Sequence, residues 1–442
     1  MKRKKQIILL IVSVFFMVQH PFAEITCYAS NQNYVIYEKD KAVNMTVQEL
    51  LNKYEIYNID VANVKKKYEL NQTKHKIYEN QETKLSSGVD LIKQEIANLS
   101  SQKSTLVQNL EQLQKEYEEC QKIEPVDTEK LSQLSTAIAQ TQLQISSIQN
   151  QITTSQQSLT SSASSLSNTS LEAQLQQYYV DNQSILEKTE INKLKYNFLN
   201  SILSAIIMKE QEKYYTCYAT NLETKETVEK IKKKYGLSIP VNLSSLSLEK
   251  NKNETICKQL SYSQKQIRDY VEAETYQNNI NLMLDYSSDA KNYSKTSLSI
   301  RFMDQNETYL ELTNAIKAYQ DYLNSSDLDS LSEQQVNQTI QSYQLQISIL
   351  RKNVDKYVSD AFENYINVVA QLKEADLETD YTYEQYRIAN EKYKKGRATL
   401  LEVQEKELLM KNAEWTYYKH LVMKVKLEFI FDNYVYGMDY TT

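Results

Sequence analysis

The sequence predicts an all-α protein built from long antiparallel helical hairpins and coiled coil. Only 4 Gly and 3 Pro occur in 442 residues, so few turns can form and the elements between them must be long. Apolar residues recur three or four positions apart over most of the chain, which is the period of a helix. A mean hydropathy of -0.60 and 35 Tyr suit thin bundles in which most side chains are half-exposed.

The first 29 residues have the pattern of a secretory signal. Lys2–Lys5 is basic, Ile7–Val18 is apolar but short for a membrane span, and Cys27–Ala29 fits a cleavage site. Lipid attachment at Cys27 is the disfavoured alternative, because Glu24–Thr26 makes a poor lipobox. No later stretch predicts a transmembrane helix in the mature chain. That chain has 47 basic and 56 acidic residues, which disfavours nucleic acid as a partner.

The N-terminal half predicts a helix and then a coiled-coil hairpin at about 89–166. The first helix begins near Thr46, since Thr46 and Glu49 have capping-box spacing. Two arms with heptad spacing flank a break around Pro125, which predicts an antiparallel hairpin. The seats of the first arm are Val89, Ile92, Ile96, Leu99, Lys103, Leu106, Leu110, Leu113, Tyr117 and Cys120. Those of the second are Leu131, Leu134, Ile138, Thr141, Ile145, Ile148, Ile152, Ser155, Leu159, Ser162 and Leu166.

A glycine turn is predicted at Gly396, between a helical pattern that ends at Lys394 and another that begins near Leu400. Glycine tolerates the positive φ that lets a chain leave one helix for another. Thr399 then caps the second helix, with Glu402 completing a capping box.

A second turn at Gly236 repeats the same order of residue types in degenerate form, with Tyr235 before the glycine and Ser238 after it. The two glycines are 160 residues apart, which predicts an internal two-fold repeat, 30–286 and 287–442. Between the turns we predict a helix to about Tyr286 and a linker at 287–303. A helix over Glu307–Leu323 and a last long helix from Ser332 follow.

The series Tyr393, Gly396, Thr399, Glu402 and Val403, followed by a long helix and Gly437, resembles the C-terminal repeat of the TolC-like outer-membrane efflux protein family. The resemblance implies that the turns are hairpin tips at which an adaptor docks. The residues assigned to this docking tip are Tyr393, Gly396, Thr399, Leu400, Glu402, Val403, Tyr235, Gly236 and Ser238.

The resemblance also implies partners and a location. The chain would form a homo-oligomer, a trimer in that family, that works with a membrane-fusion adaptor and an ABC-type exporter. Acidic residues before the tip, Glu374, Asp376 and Asp380, would line a channel, although a solvated helix face is the favoured interpretation of such a run. Family members insert paired β-strands that cross the outer membrane as a barrel. Residues 80–180 show heptads instead, so we expect a TolC-like fold without an evident β-barrel, exported to the cell envelope.

No catalytic, cofactor or metal site is predicted, so we expect a protein that is not an enzyme. His75 and His420 lie alone in helical patterns, and no phosphate-binding loop or nucleophile motif occurs. Cys120, Cys217 and Cys257 are too few for a disulfide framework and read as packed apolar residues, with a Cys217–Cys257 pair left open. The alternative to an export conduit is a secreted coiled-coil structural or surface-interaction protein, which the heptads alone would support.

Overall fold

The structure is a computed structural model that describes residues 33–35, 43–123, 127–237, 241–277, 280–286, 288–325 and 329–441. The predicted signal segment, the residues around Pro125 and the Ser238–Pro240 part of the second turn lie outside these ranges. The described elements, in chain order, are β1 (Asn33–Val35), β2 (Val43–Thr46), α1 (Val47–Tyr57), α2 (Ile59–Gln121), α3 (Thr128–Asp181), α4 (Gln183–Lys234), α5 (Leu243–Thr275), β3 (Ile280–Met283), a short 3-10 helix (Ala290–Asn292), α6 (Lys295–Asp304), α7 (Glu307–Ser325), α8 (Ser330–Lys394) and α9 (Leu400–Asn433).

The all-α prediction with long helical hairpins is confirmed, and a small sheet is added to it. Its strand order is β1-β3-β2, with β3 antiparallel to β1 and parallel to β2. The predicted helix to Tyr286 is wrong, because α5 ends at Thr275 and the positive φ of 53° at Tyr276 turns the chain away. Ile280 and Leu282 are fully buried on alternate positions of β3, which is the period of a strand.

The predicted linker at 287–303 is also wrong, since α6 begins within it. Ser294 caps α6: the Ser297 backbone N donates to Ser294 Oγ at 3.1 Å, and Ser294 N donates to Ser297 Oγ at 3.2 Å. Leu298 and Phe302 bury the apolar face of this helix. A capping box made by two serines lacks the Glu or Gln that marks such a box in a sequence.

The chain divides into two compact units, and each draws segments from both halves of the sequence. The first comprises the described parts of Met1–Lys66, Ser184–Leu310 and Ile347–Thr442, and the second Lys67–Gln183 and Glu311–Gln346. The two-fold repeat stays a prediction.

In the second unit, α2 and α3 pair as the predicted coiled coil. Every predicted heptad seat in both arms is buried or half-buried, while the positions between them are mostly exposed. Lys103, the one charged seat, donates to Gln149 Oε1 of the facing helix at 2.6 Å, which satisfies its ammonium group inside the seam. The Ser and Thr seats of α3 place hydroxyl groups in the seam where aliphatic side chains would pack better, so a few aliphatic residues supply most of its packing energy.

We therefore expect Ile152→Ala to destabilise the second unit by about 2–4 kcal/mol, because it removes a buried aliphatic side chain from that sparse seam. Leu143→Ala on the same helix should change stability by less than about 0.5 kcal/mol. The two side chains are 6% and 71% exposed. Urea unfolding of both variants, followed by circular dichroism, measures the difference; equal losses would contradict the seam assignment.

In the first unit, α9 is the central helix. Seven consecutive residues, 425–431, are buried, so neighbours enclose this part of the helix on all sides. The Phe429 ring lies 6.2 Å from Tyr196 of α4, and the Phe431 ring lies 5.8 Å from Tyr365 of α8. The α4–α9 and α8–α9 contacts fix the helices that lead to the two glycine turns.

Candidate functional site

The turn at Gly396 is built by local backbone chemistry. Gly396 has φ +67°, and it ends α8 with two hydrogen bonds: Gly396 N donates to Tyr393 O and Arg397 N donates to Lys392 O, both at 2.8 Å. This is the Schellman arrangement, which satisfies the last carbonyl groups of a helix and reverses the chain.

Thr399 then begins α9 as predicted. Glu402 N donates to Thr399 Oγ1 at 3.2 Å, and Thr399 N donates to the Glu402 carboxylate, so both halves of the capping box are present. These backbone and side-chain hydrogen bonds hold the pKa of Glu402 below its usual value. Thr399 and Glu402 therefore shape the turn.

The turn at Gly236 has the same geometry. Gly236 has φ +69°, Gly236 N donates to Lys233 O at 3.1 Å, and Leu237 N donates to Lys232 O at 3.0 Å. The sequence match between the two turns is weak, yet each ends its helix with the same pair of hydrogen bonds around a left-handed glycine.

The two turns lie at the same end of the first unit. Lys225 Nζ of α4 lies 3.2 Å from Glu405 Oε1 of α9. Lys225 lies nine residues before the end of α4, roughly 14 Å of helix, and Glu405 lies five residues after the start of α9, roughly 8 Å. Further from the turns, the Tyr214 and Trp415 rings of the same two helices are 5.5 Å apart. Residues 233–237 and 392–397 are named the two-turn end below.

Of the residues assigned to the docking tip, five have exposed side chains, and two of these, Thr399 and Glu402, are held in the capping box. Tyr235 is 73% exposed, Tyr393 42% and Leu400 44%. Val403 is buried and packs inside the first unit, and Ser238 lies outside the described part of the chain. The sequence reasoning missed Leu237, which is exposed, and the basic residues next to the single tyrosine of each turn.

The acidic residues proposed to line a channel are not part of the two-turn end. Glu374, Asp376 and Asp380 are exposed on α8, and even Asp380 precedes Gly396 by 16 residues, roughly 24 Å of helix. Their channel-lining role remains a prediction.

A buried group of charges between α4 and α9 was not foreseen. Glu414 is 2% exposed and accepts from Lys411 Nζ at 2.8 Å, one turn away on α9. Glu210 of α4 is similarly buried beside Lys213 at 2.7 Å. Burial raises the pKa of Glu414, with Lys411 opposing and Glu210 adding to the rise. In the sequence, each of these carboxylates has a lysine three residues away on the same helix. Exposed ion pairs have the same spacing, so the spacing does not predict burial.

Cys217 belongs to the same interface. Burial raises the pKa of its thiol to about 12, with Glu407 adding to the rise, so the thiol stays protonated at neutral pH. Cys217 and Cys257 are both free, and Cys257 Sγ lies 3.5 Å from Thr216 Oγ1. The pairing left open by the sequence does not form.

Among the described residues, no three His, Cys, Asp or Glu side chains come together as a metal site. None of the helices in those ranges is both long enough and apolar enough to span a bilayer.

No protein-family model matches the sequence, and no characterised protein sequence matches it as a relative. Solved structures match part of the chain at low similarity. A crystal structure of a membrane protein from Pseudomonas aeruginosa has 8% identity and a TM-score of 0.38, with 62% of this chain and 73% of that chain covered. The open state of the MtrE outer membrane channel of Neisseria gonorrhoeae has 11% identity and a TM-score of 0.33, with the same coverage of 62% and 73%.

Proposed function

We propose that the chain is a TolC-like component of an export pump, an extracytoplasmic helical conduit or sleeve whose two-turn end docks a membrane-fusion adaptor. One observation carries the proposal: the turns at Gly236 and Gly396 have the same geometry and lie at the same end of the first unit. Each turn joins two long helices, and each presents an exposed tyrosine within three residues of a left-handed glycine.

The arrangement suits docking because it is rigid and projects side chains from helix ends. A left-handed glycine and two hydrogen bonds hold each turn, so little conformational entropy is lost when a partner binds. Tyr235 and Tyr393 supply amphipathic rings of the kind enriched in protein interfaces. In this proposal the chain acts as a homotrimer, by analogy with the family that the turn sequence resembles.

Light scattering of the purified mature chain, with and without the adaptor encoded nearest its gene, tests the proposal. We expect a trimer whose mass increases when the adaptor is added. A monomer or dimer that ignores the adaptor would contradict it.

A second candidate function, a secreted structural or surface-interaction protein, is favoured by the coiled coil of the second unit. Its seam is continuous over both arms, and its outer positions are mostly polar and exposed. A chain that remains monomeric or dimeric in the same measurement, and that loses its surface partner when residues 89–166 are removed, would support this alternative.

A further inference from the structure

The two-turn end is basic on a chain whose formal net charge is -6. The acidic residues beside it already have partners: Glu226 with Lys230 at 2.7 Å, Glu229 with Lys232 at 2.5 Å, and Glu391 with Lys394 at 2.8 Å. Glu402 is held by the Thr399 cap. Five further cations are exposed there with no ion-pair partner within 4 Å in the described structure, and they are Lys233, Lys234, Lys392, Lys395 and Arg397.

Exposed apolar side chains lie among these cations. Tyr235 and Leu237 occupy the first turn and Tyr393 the second, and all three are exposed. Every residue from 233 to 237 and from 392 to 397 is exposed. The first turn therefore presents a continuous surface of lysine, tyrosine and leucine, and the second presents one of lysine, tyrosine and arginine.

We infer that the two-turn end binds the surface of an anionic lipid bilayer. Basic residues are attracted to anionic head groups, and tyrosine places its ring at the level of the head groups while its hydroxyl stays in water. Four of the five unpaired cations are lysines, which act as point charges on a diffuse surface. Recognition of particular carboxylates on a protein favours the planar fork of arginine, of which this end has one.

The inference goes beyond the proposed function, because it concerns lipid and not an adaptor, and the two can fail separately. Binding at this end would bring the chain to the membrane in which a pump is embedded, with its acidic remainder repelled from that surface. The orientation would therefore follow from the distribution of charge.

Sedimentation with vesicles tests the inference on the full mature chain. Vesicles of phosphatidylglycerol and phosphatidylcholine, in equal amounts, are compared with vesicles of phosphatidylcholine alone. The test variant is Lys233→Gln, Lys234→Gln, Lys395→Gln and Arg397→Gln together. The control variant removes four exposed lysines elsewhere, by Lys84→Gln, Lys115→Gln, Lys122→Gln and Lys373→Gln.

We expect the wild type to bind the anionic vesicles and not the neutral ones, and to be released by salt. The test variant should bind at least about 100-fold more weakly, since each basic residue near an anionic surface contributes roughly a fivefold factor. The affinity of the control variant should be within about threefold of the wild-type affinity, because its four substituted lysines lie outside the two-turn end. Circular dichroism spectra must match among the three proteins.

Three results would overturn the inference. The wild type could bind neutral vesicles as tightly as anionic ones, the test and control variants could lose the same affinity for anionic vesicles, or the wild type could bind no vesicles. If the wild type ignores vesicles but binds poly-glutamate through the same four residues, the surface recognises an acidic protein. Adaptor binding in the light-scattering measurement is independent of all these results.

Discussion

Lys411→Met is expected to destabilise the first unit by about 3–5 kcal/mol at pH 7.5, a loss typical of breaking a buried ion pair from one side. Lys411 is the nearest cation to Glu414, and it also lowers the pKa of Glu407, which burial raises. Methionine fills a similar volume without the charge, so the loss reports on Glu407 and Glu414, which both lose the cation that lowers their pKa most.

The loss should depend on pH in a defined direction. Burial raises the pKa of Glu414 above its ordinary value in the folded protein, so the folded state holds a proton where the unfolded chain has released it. The free energy of unfolding therefore falls as pH rises from the unfolded-state pKa of Glu414 to its higher folded-state pKa. Without Lys411 the folded-state pKa rises further, so the variant should lose less stability at pH 5 than at pH 7.5.

Urea unfolding at the two pH values measures this effect, with two comparisons. Lys230→Met removes a lysine that is 61% exposed from its pair with Glu226, and it should cost less than about 1 kcal/mol. Adding Glu414→Gln to Lys411→Met should recover part of the loss, because one of the uncompensated charges is removed. A pH-independent loss without recovery would assign the effect to packing.

The elements that could be predicted from the sequence are those determined by neighbouring residues. The Gly396 turn follows from one glycine and from a threonine and glutamate three positions apart, and the heptad seats follow from spacing alone. Each of these signals is complete within a few turns of the chain, so the backbone has little choice.

The features that were missed depend on residues far apart in sequence. β3 is a strand because Ile280 and Leu282 find β2 more than 230 residues earlier in the chain, and only that pairing distinguishes the segment from the end of a helix. The burial of Glu210 and Glu414 depends likewise on the packing of α4 against α9. Nothing local separates Lys411–Glu414 from an exposed pair with the same spacing.

Valine in place of Gly396, compared with valine in place of Gly88, tests the candidate site itself. Gly396→Val should destabilise its turn by at least about 2 kcal/mol, because a β-branched residue is strained at positive φ. Gly88→Val should change stability by less than about 0.5 kcal/mol, because Gly88 lies within α2, where valine is a slightly better helix former. A Cβ would meet nothing within 4 Å at either glycine, so the comparison isolates the backbone conformation.

Trypsin measures the local effect directly, since the Gly396 turn carries four exposed cleavage sites, Lys392, Lys394, Lys395 and Arg397. Cleavage there should be at least about tenfold faster in Gly396→Val, because the strained turn opens more often. Cleavage at Lys232–Lys234, before Gly236, should be unchanged and serves as the internal control. Gly396→Asn should resemble the wild type, because asparagine tolerates the left-handed region.

If the turn forms the docking site, adaptor binding should be lost in Gly396→Val and retained in Gly396→Asn and Gly88→Val. Rapid cleavage with undiminished adaptor binding would place the docking site elsewhere on the chain.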